Sequence, residues 1–240
     1  MMRAMVLAAG KGTRLGIASD VPKPMISLGG KPILEHTLEW LRRSGVSDVV
    51  INLHHQRDRI RDHFGDGSRL GMRITYSVEE ALLGTAGALV PVRDQFTSTF
   101  LLVYGDNYYR CDVGRFVDAH RRHGGIATMA LHERADVSQS GVARMEEDGR
   151  IVEFVEKPAN PDACGRMVNA GLILLEPSVF RYFPARLPAD FSRDVIPSAV
   201  AGGERLYGYA LTEPEGILWI DRPEDLASAQ RAVLERLEAR

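Results

Sequence analysis

Cysteine, net charge and long apolar runs are all scarce in this chain, and each shortage removes a class of protein. Cys111 and Cys164 are its only 2 cysteines. That is too few for a disulfide framework or a cysteine-rich zinc site, and it suits a reducing cytoplasm. No stretch reaches the roughly 18 consecutive apolar residues of a membrane span. The apolar stretch at the N-terminus is too short for a signal peptide and runs straight into a glycine loop. Lys and Arg total 30 against 32 Asp and Glu, for a net charge of −2. A dedicated nucleic-acid binder would show a basic excess, so nucleic acid is not an expected partner. The 7 histidines include no His-x-x-x-His or His-Glu-x-x-His spacing, and neither a catalytic histidine nor a catalytic cysteine is expected. His120 and His123 share one face of a polar helix and are read as solvated.

What remains is an ordinary globular composition, 45% hydrophobic and 26% charged over 240 residues, enough to bury a sizeable core. Short apolar runs at 4–8, 49–51 and 100–104 read as buried strands, and 72–76 alternates like one. Pro32 opens a helix to about residue 43, ended by Ser44-Gly45. Residues 57–64, 84–92 and 113–123 read as further helices. This rhythm of unbroken apolar strands and amphipathic helices predicts an α/β fold, a Rossmann-like, mostly parallel sheet flanked by helices. The second half changes character. Residues 141–145 and 150–156 flank Asp148-Gly149, a hairpin signal. Strands at 168–175, 205–211 and 216–220 and a closing helix at 223–237 follow. The expected architecture is one domain, 1–240, with hairpins added in its later half.

The most informative segment is Leu7-Ala8-Ala9-Gly10-Lys11-Gly12-Thr13-Arg14-Leu15, with Pro22-Lys23-Pro24 downstream. It follows the first strand, where an open α/β sheet places its ligand crevice. Small residues let backbone N–H groups approach a phosphate chain, while Lys11, Arg14 and Lys23 supply three cations. A polyphosphate needs that combination, with Arg for bidentate contact and Lys as a point charge. Two other phosphate loops fit worse. Leu15 stands where a dinucleotide-binding Gly-x-Gly-x-x-Gly loop needs its third glycine, and Asn52 stands where its ribose-binding acid is expected. Gly29-Gly30-Lys31-Pro32 does not supply Gly-x-x-x-x-Gly-Lys-Ser/Thr. Asp106, in Gly105-Asp106-Asn107 after an apolar strand, faces the same crevice and can hold Mg²⁺ against phosphate oxygens.

These segments, together with Phe64-Gly65-Asp66-Gly67-Ser68, Leu83-Gly84-Thr85-Ala86-Gly87-Ala88, Val155-Glu156-Lys157-Pro158 and Asn169-Ala170-Gly171, resemble the sugar-1-phosphate nucleotidyltransferases over nearly the whole length. The resemblance implies a glycosyltransferase-A-like fold. It also implies that an NTP and a sugar 1-phosphate give an NDP-sugar and pyrophosphate with Mg²⁺. Residues to about 125 would form the nucleotide-binding half and those from about 126 the sugar-phosphate half. A homo-oligomer is compatible with the sequence, which shows no readable apolar patch.

Residue by residue, the resemblance places the triphosphate on the loop from Leu7 to Arg14 and on Lys23, and the nucleobase at Glu79, Gly84 and Thr85. Lys157 would hold the sugar phosphate, and Glu156 and Asn169 would bind sugar hydroxyls. Gly141 either lets the backbone approach the sugar or starts a strand. A second metal carboxylate is expected near Trp-x-Asp-x-Gly-Thr-Pro-Glu-Asp, where this chain departs with Trp219-Ile220-Asp221-Arg222-Pro223-Glu224-Asp225. An ungapped alignment on Pro-Glu-Asp puts the metal ligand on Trp219, which cannot bind a hard cation. Asp221 is therefore the choice, with Asp106 as its partner. It could instead cap the closing helix. Direct displacement needs no covalent nucleophile, and Arg14, Lys23 and Asp106 are its candidate catalytic residues. Glu79 could accept from guanine N1 and N2, which favours GTP. The stretches from Ser68 to Leu89 and from Arg205 to Tyr209 resemble mannose- or heptose-1-phosphate guanylyltransferases most. Uridylyl- and thymidylyltransferases stay open, as does a non-catalytic nucleotide-sugar-binding regulator.

Overall fold

The computed structural model describes residues 2–10, 12, 15, 21–160 and 164–238. β1 (Arg3–Leu7) leads through the short ribbon β2 (Ser27–Leu28) and β3 (Lys31–Pro32) into α1 (Ile33–Arg43), β4 (Asp48–Leu53), α2 (Arg57–Phe64) and β5 (Arg73–Val78). Then come α3 (Gly84–Gly87), β6 (Phe100–Tyr104), β7 (Tyr108–Arg110) and α4 (Val113–His123). The second half supplies β8 (Ala127–Glu133), β9 (Gly141–Met145), β10 (Ile151–Glu156), β11 (Met167–Leu175), α5 (Ile196–Ala201), β12 (Leu206–Ala210), β13 (Gly216–Leu218) and α6 (Pro223–Glu238).

Nine strands from both halves enter one sheet, in the order β10-β9-β11-β6-β1-β4-β5, with β8 beside β11 and β12 beside β8. β1 lies at the centre, parallel to β4 and β6, and β4 is parallel to β5. β11 runs antiparallel to β6 and β8, and β12 returns parallel to β8. The expected α/β fold, with a mostly parallel centre flanked by helices, is therefore present, and the strands around β11 add antiparallel pairs.

Its central strands β1, β6 and β11 are mostly apolar because both faces are covered. Along β1, Ala4 and Val6 face the layer of α1, α2 and α4, while Met5 faces the opposite layer. In β6, Leu101 and Val103 take the first side and Phe100 and Leu102 the second; Leu172 and Leu174 against Ile173 and Leu175 do the same in β11. α4 begins where the Asp112 carboxylate accepts the Arg115 N–H (3.1 Å), and it ends at Gly124 in the left-handed region. No helix among the described residues is long and apolar enough to cross a membrane.

The structure differs from the sequence expectations in several places. The helix expected over 84–92 is only α3 followed by a 3₁₀ turn, Val90–Gln95, because Pro91 lacks the amide that would continue it. β8 was not expected. Its Ala, Met and Leu are good helix formers, and its place between β11 and β12 overrides that preference. His120 is buried, not solvated: its ring contacts Thr128 Oγ1 (2.8 Å) and Glu176 Oε1 (3.1 Å).

Backbone hydrogen bonds help dock α3. Ala86 and Gly87 donate N–H groups to the Ala189 carbonyl (2.9 and 3.0 Å), and Ala189 N–H donates to the Leu83 carbonyl (2.8 Å). Gly84 has φ +83°, and a Cβ there would lie 2.3 Å from that Ala189 oxygen. Gly84→Ala is therefore expected to cost roughly 2–3 kcal/mol, a strain plus overpacking penalty, read as a lower urea midpoint at unchanged m-value.

Candidate active site

Where β1, β4 and β6 end side by side, a cleft of about 470 Å³ opens, at the strand ends where an open α/β sheet receives its ligand. Leu7, Ala9 and Gly10 line one wall. The loop is pinned from behind. Leu7 O accepts the Gly105 N–H (2.9 Å), and Ala8 N–H donates to Asn52 Oδ1 (2.8 Å). Asn52 Nδ2 in turn donates to Glu79 Oε1 (2.7 Å), and Glu79 Oε2 accepts the Leu83 N–H (3.0 Å). Asn52 and Glu79 are each only 4% exposed, so this chain of bonds braces the loop against the segment before α3. A Cβ on Gly10 would meet nothing within 4 Å, whereas one on Gly12 (φ +63°) would lie 2.6 Å from Lys23 Cβ. Gly12 is thus needed to let the Lys23 stem pass. Lys11, Thr13 and Arg14 lie outside the described residues.

Lys23 is 5% exposed. Its ammonium donates to Asp106 Oδ2 (2.7 Å) and Asp221 Oδ1 (3.0 Å). Burial alone would lower its pKa, but the two carboxylates outweigh that and hold it above the ordinary lysine value. Asp106 follows β6 and Asp221 follows β13, so both reach one point from separate strand ends. Just ahead of α6, Asp225 Oδ2 accepts the N–H groups of Asp221 (3.1 Å) and Arg222 (2.9 Å). Two hard carboxylates converging on one cation-sized point suit Mg²⁺, which commonly takes one or two carboxylates and completes its octahedron with phosphate oxygens and water. No cluster of three or more His, Cys, Asp or Glu that could hold a metal occurs among the described residues. The pair therefore fits a metal shared with substrate phosphates and does not form an all-protein cage.

The opposite wall comes from the second half. Gly141, Glu156, Lys157 and Asn169 all line the cleft. A Cβ on Gly141 would stand 2.8 Å from Glu156 Oε2 and 2.5 Å from the Phe154 ring, so the glycine admits these side chains. Burial raises the Glu156 pKa, opposed by Lys157, Arg193 and Ser192. Lys157 has φ +52°, a conformation costing about 1 kcal/mol or more in a non-glycine residue. Its N–H bonds to the Ser140 carbonyl (3.0 Å). Asn169 Oδ1 accepts the Gly171 N–H (2.8 Å), which turns its amide donors elsewhere. Thr85 lines the cleft, but its hydroxyl donates to Asp190 Oδ1 (2.9 Å) and accepts the Phe191 N–H (2.9 Å), clipping α3 to the 189–191 segment.

Several lining residues were missed from the sequence: Tyr104, Arg134, Gln139, Asp190, Arg193 and Trp219. Tyr104 sits one step before Gly105-Asp106, and burial pushes its phenol pKa up. Asn52 signalled only the absence of a ribose-binding acid, although a lone amide ending an apolar strand marks a buried hydrogen-bonding post.

A glycine loop at a central strand end, a cation between two acids and a polar far wall define a nucleotide- and phosphate-handling α/β protein. The nucleotidyl transferase family model matches residues 3–236, and the chain belongs to that family, in agreement with the resemblance to sugar-1-phosphate nucleotidyltransferases. It is 35% identical over 98% of its length to a UTP–glucose-1-phosphate uridylyltransferase of Synechocystis sp. and spans 64% of that relative. It is 32% identical over 92% of its length to a mannose-1-phosphate guanylyltransferase of Mycobacterium tuberculosis and spans 62% of it. The chain thus covers less than two thirds of the length of these relatives. Among solved structures, HddC from Yersinia pseudotuberculosis in complex with GMP-PN superposes with TM-score 0.81 at 26% identity, covering 97% of this chain and 100% of that one.

Because the Lys23 pKa is raised, its ion pairs stabilise fully below the ordinary value of 10.5 and are lost as pH rises through the folded value. Lys23→Met, which keeps most of the stem, is expected to cost about 1–2 kcal/mol after discounting for the partly exposed carboxylates. In urea titrations the gap to the wild type should stay constant from about pH 7 to 9 and shrink above about pH 10.5. A constant gap at alkaline pH would contradict the charge-based account.

Proposed function

We propose that this chain transfers a nucleotidyl group from GTP to mannose or heptose 1-phosphate, giving an NDP-sugar and pyrophosphate. The observation that carries the reading is the convergence of Asp106 and Asp221 on Lys23, between the braced glycine loop and the wall bearing Lys157 and Glu156. In this reading the chain acts as one domain, with a nucleotide half and an acceptor half, on two small-molecule substrates in the cytoplasm.

The sugar phosphate oxygen attacks the α-phosphorus in line and pyrophosphate departs, so positioning and charge neutralisation suffice without a covalent intermediate. Loop N–H groups cradle the triphosphate, and Arg14 with Lys11 stabilises charge on the leaving phosphates. Lys23 contacts the α-phosphate. Lys157 holds the attacking phosphate, while Glu156 and Asn169 orient sugar hydroxyls beside Gly141. Mg²⁺, held by Asp106 and Asp221, supplies neutralisation of phosphate oxygens.

Glu79, Gly84 and Thr85 would meet the base. Each Glu79 oxygen already accepts one protein hydrogen bond. A carboxylate has about four lone-pair sites, so capacity for guanine N1–H and N2–H remains. The guanylyl reading is also supported by the M. tuberculosis relative and the GMP-PN complex of HddC. A second reading, uridylyl transfer to glucose 1-phosphate, is favoured by the Synechocystis relative.

Pyrophosphate release from each of the four NTPs with mannose, heptose or glucose 1-phosphate tests both. GTP with mannose or heptose 1-phosphate is expected to be fastest. UTP with glucose 1-phosphate in that place would select the second reading, and no release from any pair would favour a non-catalytic nucleotide-sugar-binding regulator. Arg14→Ala is expected to lower turnover by about a hundredfold or more with an unchanged circular dichroism spectrum. Near-normal turnover in the folded variant would remove Arg14 from the mechanism.

A further inference from the structure

Arg134 directly follows β8 at the acceptor side of the cleft, half-buried among the lining residues. Its guanidinium carbon lies over the Trp219 ring, 4.9 Å from the centroid. Trp219 is itself fixed: the His132 ring meets it edge-on at 5.2 Å, and it packs against the cluster of Val137, Val142 and Val168. A guanidinium over an aromatic face is attracted without using any of its N–H donors. Among the described residues no carboxylate stands within ion-pair distance of Arg134. Asp136 feels its charge but is fully exposed and accepts the Ser138 N–H (3.0 Å). The cleft thus contains a held cation whose hydrogen-bonding edge no described acid occupies.

Its position decides which anion it serves. Arg134 N–H is bonded to the Arg166 carbonyl (2.9 Å), next to the start of β11. The loop it opens runs to Ser140, whose carbonyl holds Lys157. Its aromatic support stands two residues from Asp221. Arg134 therefore belongs to the wall built by the second half of the chain, beside Trp219 and the loop whose Ser140 carbonyl meets the Lys157 N–H. A phosphate monoester near neutral pH carries close to two negative charges, more than one lysine neutralises.

Resting on the transferase reading above, we propose that Arg134, held by Trp219, is a second phosphate-positioning residue for the sugar 1-phosphate. It supplies the forked contact that Lys157 as a point charge does not. The test is steady-state kinetics of the wild type, Arg134→Ala, Arg134→Gln and Arg134→Lys, with GTP and mannose 1-phosphate or with UTP and glucose 1-phosphate, whichever pair the wild type turns over. The KM for the sugar phosphate should rise roughly tenfold or more in the Ala and Gln variants, as expected for losing a charge-assisted contact. The KM for the nucleotide should change by less than about twofold, and Lys should recover part of the loss. An unchanged sugar-phosphate KM in a folded Ala or Gln variant, or a rise confined to the nucleotide KM, overturns the assignment while leaving the transferase reading standing. Absence of wild-type turnover with every pair overturns that reading and this one together.

Discussion

A buried ammonium between two carboxylates organises this molecule. Removing Lys23 from water would cost several kcal/mol if it stood alone, and Asp106 and Asp221 offset that cost from positions 83 and 198 residues away in the chain. The contact therefore joins the segment after the glycine loop, the end of β6 and the end of β13. It also dictates its neighbour, since Gly12 must lack a Cβ for the Lys23 stem to pass.

The sheet makes that convergence possible. β1 is buried on both faces between two helical layers, so its carboxyl end is fixed where the loop begins. The bonds from Ala8 through Asn52 and Glu79 to Leu83 carry this rigidity to α3. Thr85 and the Ala189 carbonyl carry it onward to the second half of the chain. The two walls of the cleft are thus linked through the protein by hydrogen bonds as well as by the sheet. Strain appears on the far wall, where Lys157 adopts a left-handed backbone conformation, a cost typical of positions held by function.

Local pattern made much of this legible. The helices at 57–64 and 113–123 fall where the sequence places them, because helical patterning acts within a turn or two of chain. The glycine loop and Asp106 stood out because each sits at a strand end next to an apolar run, whereas the Glu156-Lys157 pair stood out only through the family resemblance. β8 was not visible. Its composition leans towards helix, and only the flanking β11 and β12 give it a sheet to join. That Asp221 reaches the same ammonium as Asp106 was likewise not visible in the chain.

Sequence by itself determined the fold class, the family and the chemical types gathered for polyphosphate, since these depend on periodicity and on residues close together in the chain. Tertiary structure alone decided which distant groups meet: Lys23 with both acids, Asn52 as a brace between Ala8 and Glu79, and Arg134 on Trp219. Such pairings are set by strand order and register, and the energy of each arises only once the chain has closed the sheet that brings them within a few ångströms.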